Sequence, residues 1–199
     1  MRSVFDVATD ILKISGKDSI PSITMQKMVF YAYGWYAYLT GQQLFDQSFY
    51  AMPKGPVVGD LLTAHARQTE VGRETLELGR EILEDGPQDA DPYYDQVIRA
   101  IWDYYSSFPR WTLVDMTHEE KVWKDAWEAR REGSRRAPLD AVDIAEYFMM
   151  RRDVPSELLD LLPDPTHHHL TEHEARALEQ VPRTAHQAFL DYAKALSTE

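Results

Sequence analysis

The sequence predicts a mainly α-helical fold: a single helical domain around a central buried helix, with one small β-hairpin. Three observations lead to it. First, Met25, Met28, Val29, Ala32, Tyr36 and Leu39 recur at spacings of three and four, the period of one helix face. Phe30, Tyr33 and Ala37 form a second stripe, and Tyr31, Trp35 and Tyr38 flank it, so little of the circumference is polar and the helix belongs inside a domain. Second, capping signals recur ahead of apolar periodic segments: Ser3 with Asp6, Asp91 with Pro92, and Thr117 with Glu120. Third, strand-like sequence is confined to Leu44-Phe45 and Phe49-Tyr50-Ala51, on either side of the polar turn Asp46-Gln47-Ser48.

In chain order, Val4, Val7, Ala8, Ile11 and Leu12 mark one face of a first helix that Gly16 ends. The aromatic helix follows and would run about 25 Å at 1.5 Å per residue. Gly34 interrupts it at a cost of about 1 kcal/mol relative to alanine, which predicts close approach of another backbone there. Gly41 is a helix stop. After the hairpin, Pro53-Lys54-Gly55-Pro56 reads as a rigid turn and not a regular element, since two prolines fix φ and a glycine frees it. Val57, Leu61, Leu62 and His65 suggest a third helix, residues 68–91 are polar and mixed, and Tyr94, Val97, Ile98, Ile101, Trp102 and Tyr105 give the face of the next helix. Trp111 to Met116 can form a short helical turn. Thr117-His118-Glu119-Glu120 reads as a capping box before Val122, Trp123, Ala126 and Trp127. Val142, Ala145 and Phe148 fit one more helix. Beyond Arg152, prolines punctuate short helices at 156–162, 172–180 and 183–197. The expected division is a domain over residues 1–152 and a helical extension over 153–199.

Composition bounds the function. A chain of 199 residues with 44% hydrophobic content can bury one good core. It has no cysteine, which excludes disulfides and thiolate chemistry and makes a reducing compartment the natural home. With no signal peptide and no apolar run near the eighteen or so residues needed to span a bilayer, a cytoplasmic location is expected. The formal charge is −12, while residues 1–66 balance five acids against five bases. All the excess lies downstream. An acidic lobe repels nucleic acid and anionic membrane and favours a basic partner.

Several residues are candidate contacts or motif positions: Gln26, Lys27, Tyr31 and Trp35 on the aromatic helix, Lys54, Gly55, Pro56 and Val57 at the turn, and Thr117, His118 and Trp123 downstream. Gly55 and Pro56 suit a rigid turn, and Trp35 suits burial. Lys27 and Lys54 are open to two readings, a partner-facing cation or an ion pair within the domain. His118 stands beside no nucleophile motif, and Asp115 is more simply a turn residue. His167-His168-His169 with His173 lacks a complete ligand pattern, so neither a metal nor a cofactor is expected. Arg130, Arg131, Arg135 and Arg136 form a basic patch diluted by Glu128 and Glu132. Phosphate loops, nucleophile elbows and HExxH elements are absent.

Taken in order, Gln26-Lys27, Tyr31, Gly34-Trp35, Leu44-Phe45, Ala51 and Gly55-Pro56-Val57, joined by Thr117-His118, Trp123, Ile144 and Tyr147-Phe148, resemble the Panacea domain family, the SocA-like antitoxins also called phage-associated proteins. The resemblance spans roughly residues 4–150. It departs at Met52-Pro53-Lys54, where the family usually has a tryptophan and a further aromatic before the glycine, and at Gly59, where a proline is frequent. It implies a non-enzymatic antitoxin that binds a cognate protein toxin. The alternatives are an adaptor that delivers a bound protein to a protease, and a small hydrolase using His118.

Overall fold

The first helix, α1 (Val4–Ser15), starts with a complete capping box: the Ser3 hydroxyl accepts from the Asp6 amide at 3.2 Å and Asp6 Oδ2 accepts from the Ser3 amide at 3.0 Å. Two donors that a helix start leaves unpaired are thereby satisfied. The chain is described by a computed structural model over residues 2–166, apart from 85 and 87. The helices expected at 172–180 and 183–197 and the histidines at 167–169 and 173 lie outside the described residues. Helix α2 (Ser22–Thr40) ends at Gly41, whose φ of 67° is the left-handed conformation of a helix stop. Every residue from Met25 to Trp35 is buried. Around it pack α1, α5 (Pro92–Tyr105), α6 (Arg110–Glu119), α8 (Ala141–Met149) and three strands. At Gly34 the close neighbour is a side chain and not the backbone expected from sequence: a Cβ there would stand 2.5 Å from the Phe148 ring of α8.

The hairpin differs from the predicted one. Its strands are β2 (Phe49–Met52) and β3 (Gly55–Val58), joined by Pro53-Lys54, and Leu44-Phe45 is not a strand. Leu44 and Phe45 are instead buried in the core, Phe45 stacking on Phe49 at 5.4 Å. Pro56 therefore lies in a strand and not in a turn. Registers Met52↔Gly55, Ala51↔Pro56 and Tyr50↔Val57 explain why this is tolerated. In an antiparallel pair, mutually bonded and non-bonded positions alternate outward from the two-residue turn, which puts Pro56 where its missing N–H would have pointed away from β2. A third strand, β5 (Ala137–Leu139), pairs with the other edge of β2, directly after Arg135 and Arg136 of the basic patch. A separate two-stranded sheet joins β1 (Ser19–Pro21) to β4 (Glu70–Gly72).

The remaining helices are α3 (Gly59–Ala64), α4 (Arg73–Ile82), α7 (Lys121–Glu128) and α9 (Ser156–Leu159). Helix α4 occupies the stretch that reads as polar and mixed; its buried face is narrow, and Gly79 leaves room for the Phe5 ring. Asp91 caps α5 as its sequence signal implies, accepting from the Tyr93 and Tyr94 amides. The capping box expected at Thr117 does not form. Thr117 lies within α6, Glu120 is the residue preceding α7, and the Glu120 carboxylate points elsewhere. Leu158 of α9 is fully buried and α9 packs on α5, so the compact unit Met1–Asp164 takes in residues 153–164.

Candidate functional site

Strand β3 is an edge strand, and its outer edge is turned toward α2, where water cannot reach its backbone groups. Gln26 and Lys27 supply the partners. Gln26 Oε1 accepts from the Val58 amide at 2.8 Å, Gln26 Nε2 reaches the Val58 carbonyl at 3.5 Å, and Lys27 Nζ donates to the Pro56 carbonyl at 2.9 Å. Pro56 offers no N–H on this edge, so no donor is left unpaired there. Two consecutive polar side chains on a buried helix thus act as a substitute strand, which is what a buried sheet edge requires. Gln26 Nε2 also lies 3.2 Å from His65 Nε2, an arrangement that needs a neutral His65 with that nitrogen as acceptor. Burial lowers the His65 pKa below its ordinary value of 6.5 in keeping with this.

Lys27 is neither the partner-facing cation nor the ion pair considered from sequence. It is 1% exposed, and burial holds its pKa well below the ordinary lysine value. Gly55 has a φ of 92°, and a Cβ on it would come 2.5 Å from Thr117 Oγ1 and 2.6 Å from Lys27 Nζ. Glycine is required there twice over, by conformation and by space. The upstream and downstream motif residues therefore meet at one point: Lys27 from α2, Gly55 and Pro56 from β3, Thr117 from α6. Thr117 is fully buried and its hydroxyl donates to the Val114 carbonyl at 2.9 Å.

Tyr31 and Trp35, one turn further along α2, belong to an aromatic cluster. Tyr31 stacks on Tyr105 at 4.0 Å, and Trp35 Nε1 donates to the Tyr105 hydroxyl at 2.8 Å while its ring meets Phe148 edge-on. Beside them is a polar group that sequence reasoning missed. The Glu120 carboxylate accepts from Tyr31 Oη at 3.3 Å, from Tyr147 Oη at 2.7 Å and from Arg151 at 2.9 Å. Burial, and then the Glu120 charge, push the Tyr147 pKa up to about 12. An acid in a capping pattern and an arginine after a helix look like surface residues, and nothing within four positions of either reveals the other.

His118 stacks on Trp123 with ring centroids 4.2 Å apart, and burial, followed by the Lys27 charge, lowers its pKa. Among the described residues, His118 Nε2 and Trp123 Nε1 are buried and meet no hydrogen-bond partner. Val57 is buried; Lys54 is exposed at the hairpin turn, its ammonium 5.4 Å from the exposed Trp111 ring. Arg130 lies over Trp127 and Arg136 over Tyr50, which ties two members of the basic patch to aromatic faces. Among the described residues no cluster of histidine, aspartate and glutamate could hold a metal ion, and no helix is long and apolar enough to cross a membrane.

Compared with known families, residues 25–124, half of the chain, match the model described as antitoxin SocA-like, Panacea domain. No curated protein and no solved structure matches. The matched segment holds both halves of the seam just described, from Gln26-Lys27 through Gly55-Pro56-Val57 to Thr117.

Proposed function

The chain belongs to the antitoxin SocA-like, Panacea domain family, and on that premise we propose that it is the antitoxin of a toxin–antitoxin pair, neutralising a cognate protein toxin by direct binding and without catalysis. The family match carries the reading. The geometry of the matched residues supports it: Gln26, Lys27, Pro56 and Thr117 spend their polar groups inside the fold. A motif used up in holding a sheet edge is a scaffold, so recognition falls to exposed surface. Residues 153–199 are the extension we assign to partner specificity; within it, residues 153–164 belong to the compact unit, where Leu158 is buried and α9 packs on α5.

Co-expression tests this. The product of the adjacent gene is expected to be toxic alone and harmless with this chain in excess; a harmless neighbour, or full toxicity despite excess chain, would sink the reading. Undegraded toxin in rescued cells marks sequestration, whereas its loss marks delivery to a protease. His118→Ala is expected to leave neutralisation intact, because this ring is stacked on Trp123 and its Nε2 holds no hydrogen bond among the described residues. A folded His118→Ala chain without activity would favour the hydrolase reading.

A further inference from the structure

An open groove of 1330 Å³ is lined by residues of β2, β5, α7 and α8 together with the 46–48 turn and residues 150–153. Tyr50, Ala126, Tyr147 and Met150 supply apolar surface, and Met150 is 81% exposed. Six lining carboxylates, Asp46, Asp125, Asp140, Asp143, Glu146 and Asp153, are all exposed and face three lining bases, Lys121, Arg151 and Arg152. Two of those bases are already committed: Lys121 to Asp125, and Arg151 to Asp153 and the buried Glu120. Among the described residues Asp143 and Glu146 meet no ion-pair partner, although they stand three residues apart on α8, where like charges disfavour the helix. Arg152 and, over Tyr50, Arg136 add positive charge, but the lining carboxylates still outnumber the lining bases six to three.

Uncompensated carboxylates around an exposed methionine suit a cationic ligand that also carries an apolar anchor. Nucleic acid and anionic membrane have the wrong charge. Residues 167–199 of the chain itself carry five acids against three bases and offer no basic complement. We propose that this groove docks a protein partner through a basic segment with an apolar anchor. The identity of that partner as the toxin rests on the antitoxin reading.

Two arms test it, both with the full-length chain. In the first, a fluorescein-labelled peptide of alternating lysine and leucine is titrated against the chain and followed by anisotropy, with a glutamate–leucine peptide as control. Binding of the lysine peptide is expected, weakened about tenfold or more by Asp143→Lys with Glu146→Lys and also by the uncharged change Met150→Ser, but not by Glu74→Lys with Glu77→Lys on α4. Equal binding to the groove variants, or equal loss with the α4 pair, overturns the proposal. In the second arm, the same variants are scored for toxin rescue after thermal melts confirm that they fold. Rescue by the wild-type chain and equally by the groove variants places the toxin elsewhere, which overturns the proposal and leaves the antitoxin reading standing. Groove-dependent peptide binding by a chain that rescues from no neighbouring toxin removes the antitoxin reading and upholds the groove as a docking surface for cationic protein segments.

Discussion

The seam between α2 and β3 and the groove beside α8 both concentrate polar residues, and they treat them in opposite ways. In the seam, Gln26 and Lys27 are almost fully buried, and each meets a backbone group of β3 within 3 Å. In the groove, Asp143 and Glu146 are exposed and, among the described residues, unpaired. A buried polar group left without a partner costs about 1–3 kcal/mol, so the seam tolerates little change. An exposed carboxylate costs the fold almost nothing, so the groove is free to serve a partner. The same residue classes thus separate into scaffold and contact surface by burial alone.

The contrast can be broken most forcefully at the aromatic end of the seam. Trp35→Ala removes a fully buried indole and its bond to Tyr105, and is expected to cost about 3–5 kcal/mol in chemical denaturation; a loss below about 1 kcal/mol would mean that the α2 cluster is not a packed core. Next comes Gln26→Leu, which keeps the apolar bulk but orphans the Val58 amide and is expected to cost about 1–3 kcal/mol. Wild-type stability for this variant would show that water reaches the β3 edge.

Acid gives a smaller and reversible effect. The folded pKa of His65 is below 6.5, so the neutral ring is the one the fold prefers. Its contribution is complete above the unfolded value and is lost as pH falls through the window beneath 6.5. Protonation would also set a donor against Gln26 Nε2. The melting temperature should therefore drop between pH 7 and pH 5, and less so in His65→Gln; identical pH profiles for the two chains would rule out the linkage. Smallest of all, Asp143→Lys and Glu146→Lys should each shift unfolding by no more than about 0.5 kcal/mol. A large loss from either would move the groove into the scaffold class.

Much of the helical pattern was legible because its causes are local. The three- and four-residue spacing along α2, the Ser3–Asp6 box, the Asp91-Pro92 start and the Gly41 stop depend on interactions within a turn or so of the chain. The hairpin was displaced for a related reason. Leu44 and Phe45 read as a short apolar strand bounded by polar residues, but the turn at Pro53-Lys54 decided which residues pair. Helix α4 was missed because its buried face is Thr75, Leu76 and Gly79, of which only Leu76 is a large apolar residue, while Leu78, Ile82 and Leu83 are exposed; a threonine and a glycine fitted around Phe5 do not read as a core stripe. The Thr117–Glu120 pattern satisfied the capping rule in letters only, since Glu120 is held by Arg151, 31 positions away.

Alone, the sequence determined the family, the mainly helical character, the extent of α2 to within a turn, and an acidic excess confined to residues after 66. These follow from composition, order and short-range periodicity. What Gln26 and Lys27 are for, which edge Pro56 occupies, why Gly55 must lack a side chain, and where unpaired carboxylates gather beside Met150 were decided only by the tertiary structure. The physical reason is that a polar side chain carries no mark of its partner. Gln26 reads as a solvated residue until the fold brings the Val58 amide to 2.8 Å from its oxygen, across 32 positions of chain.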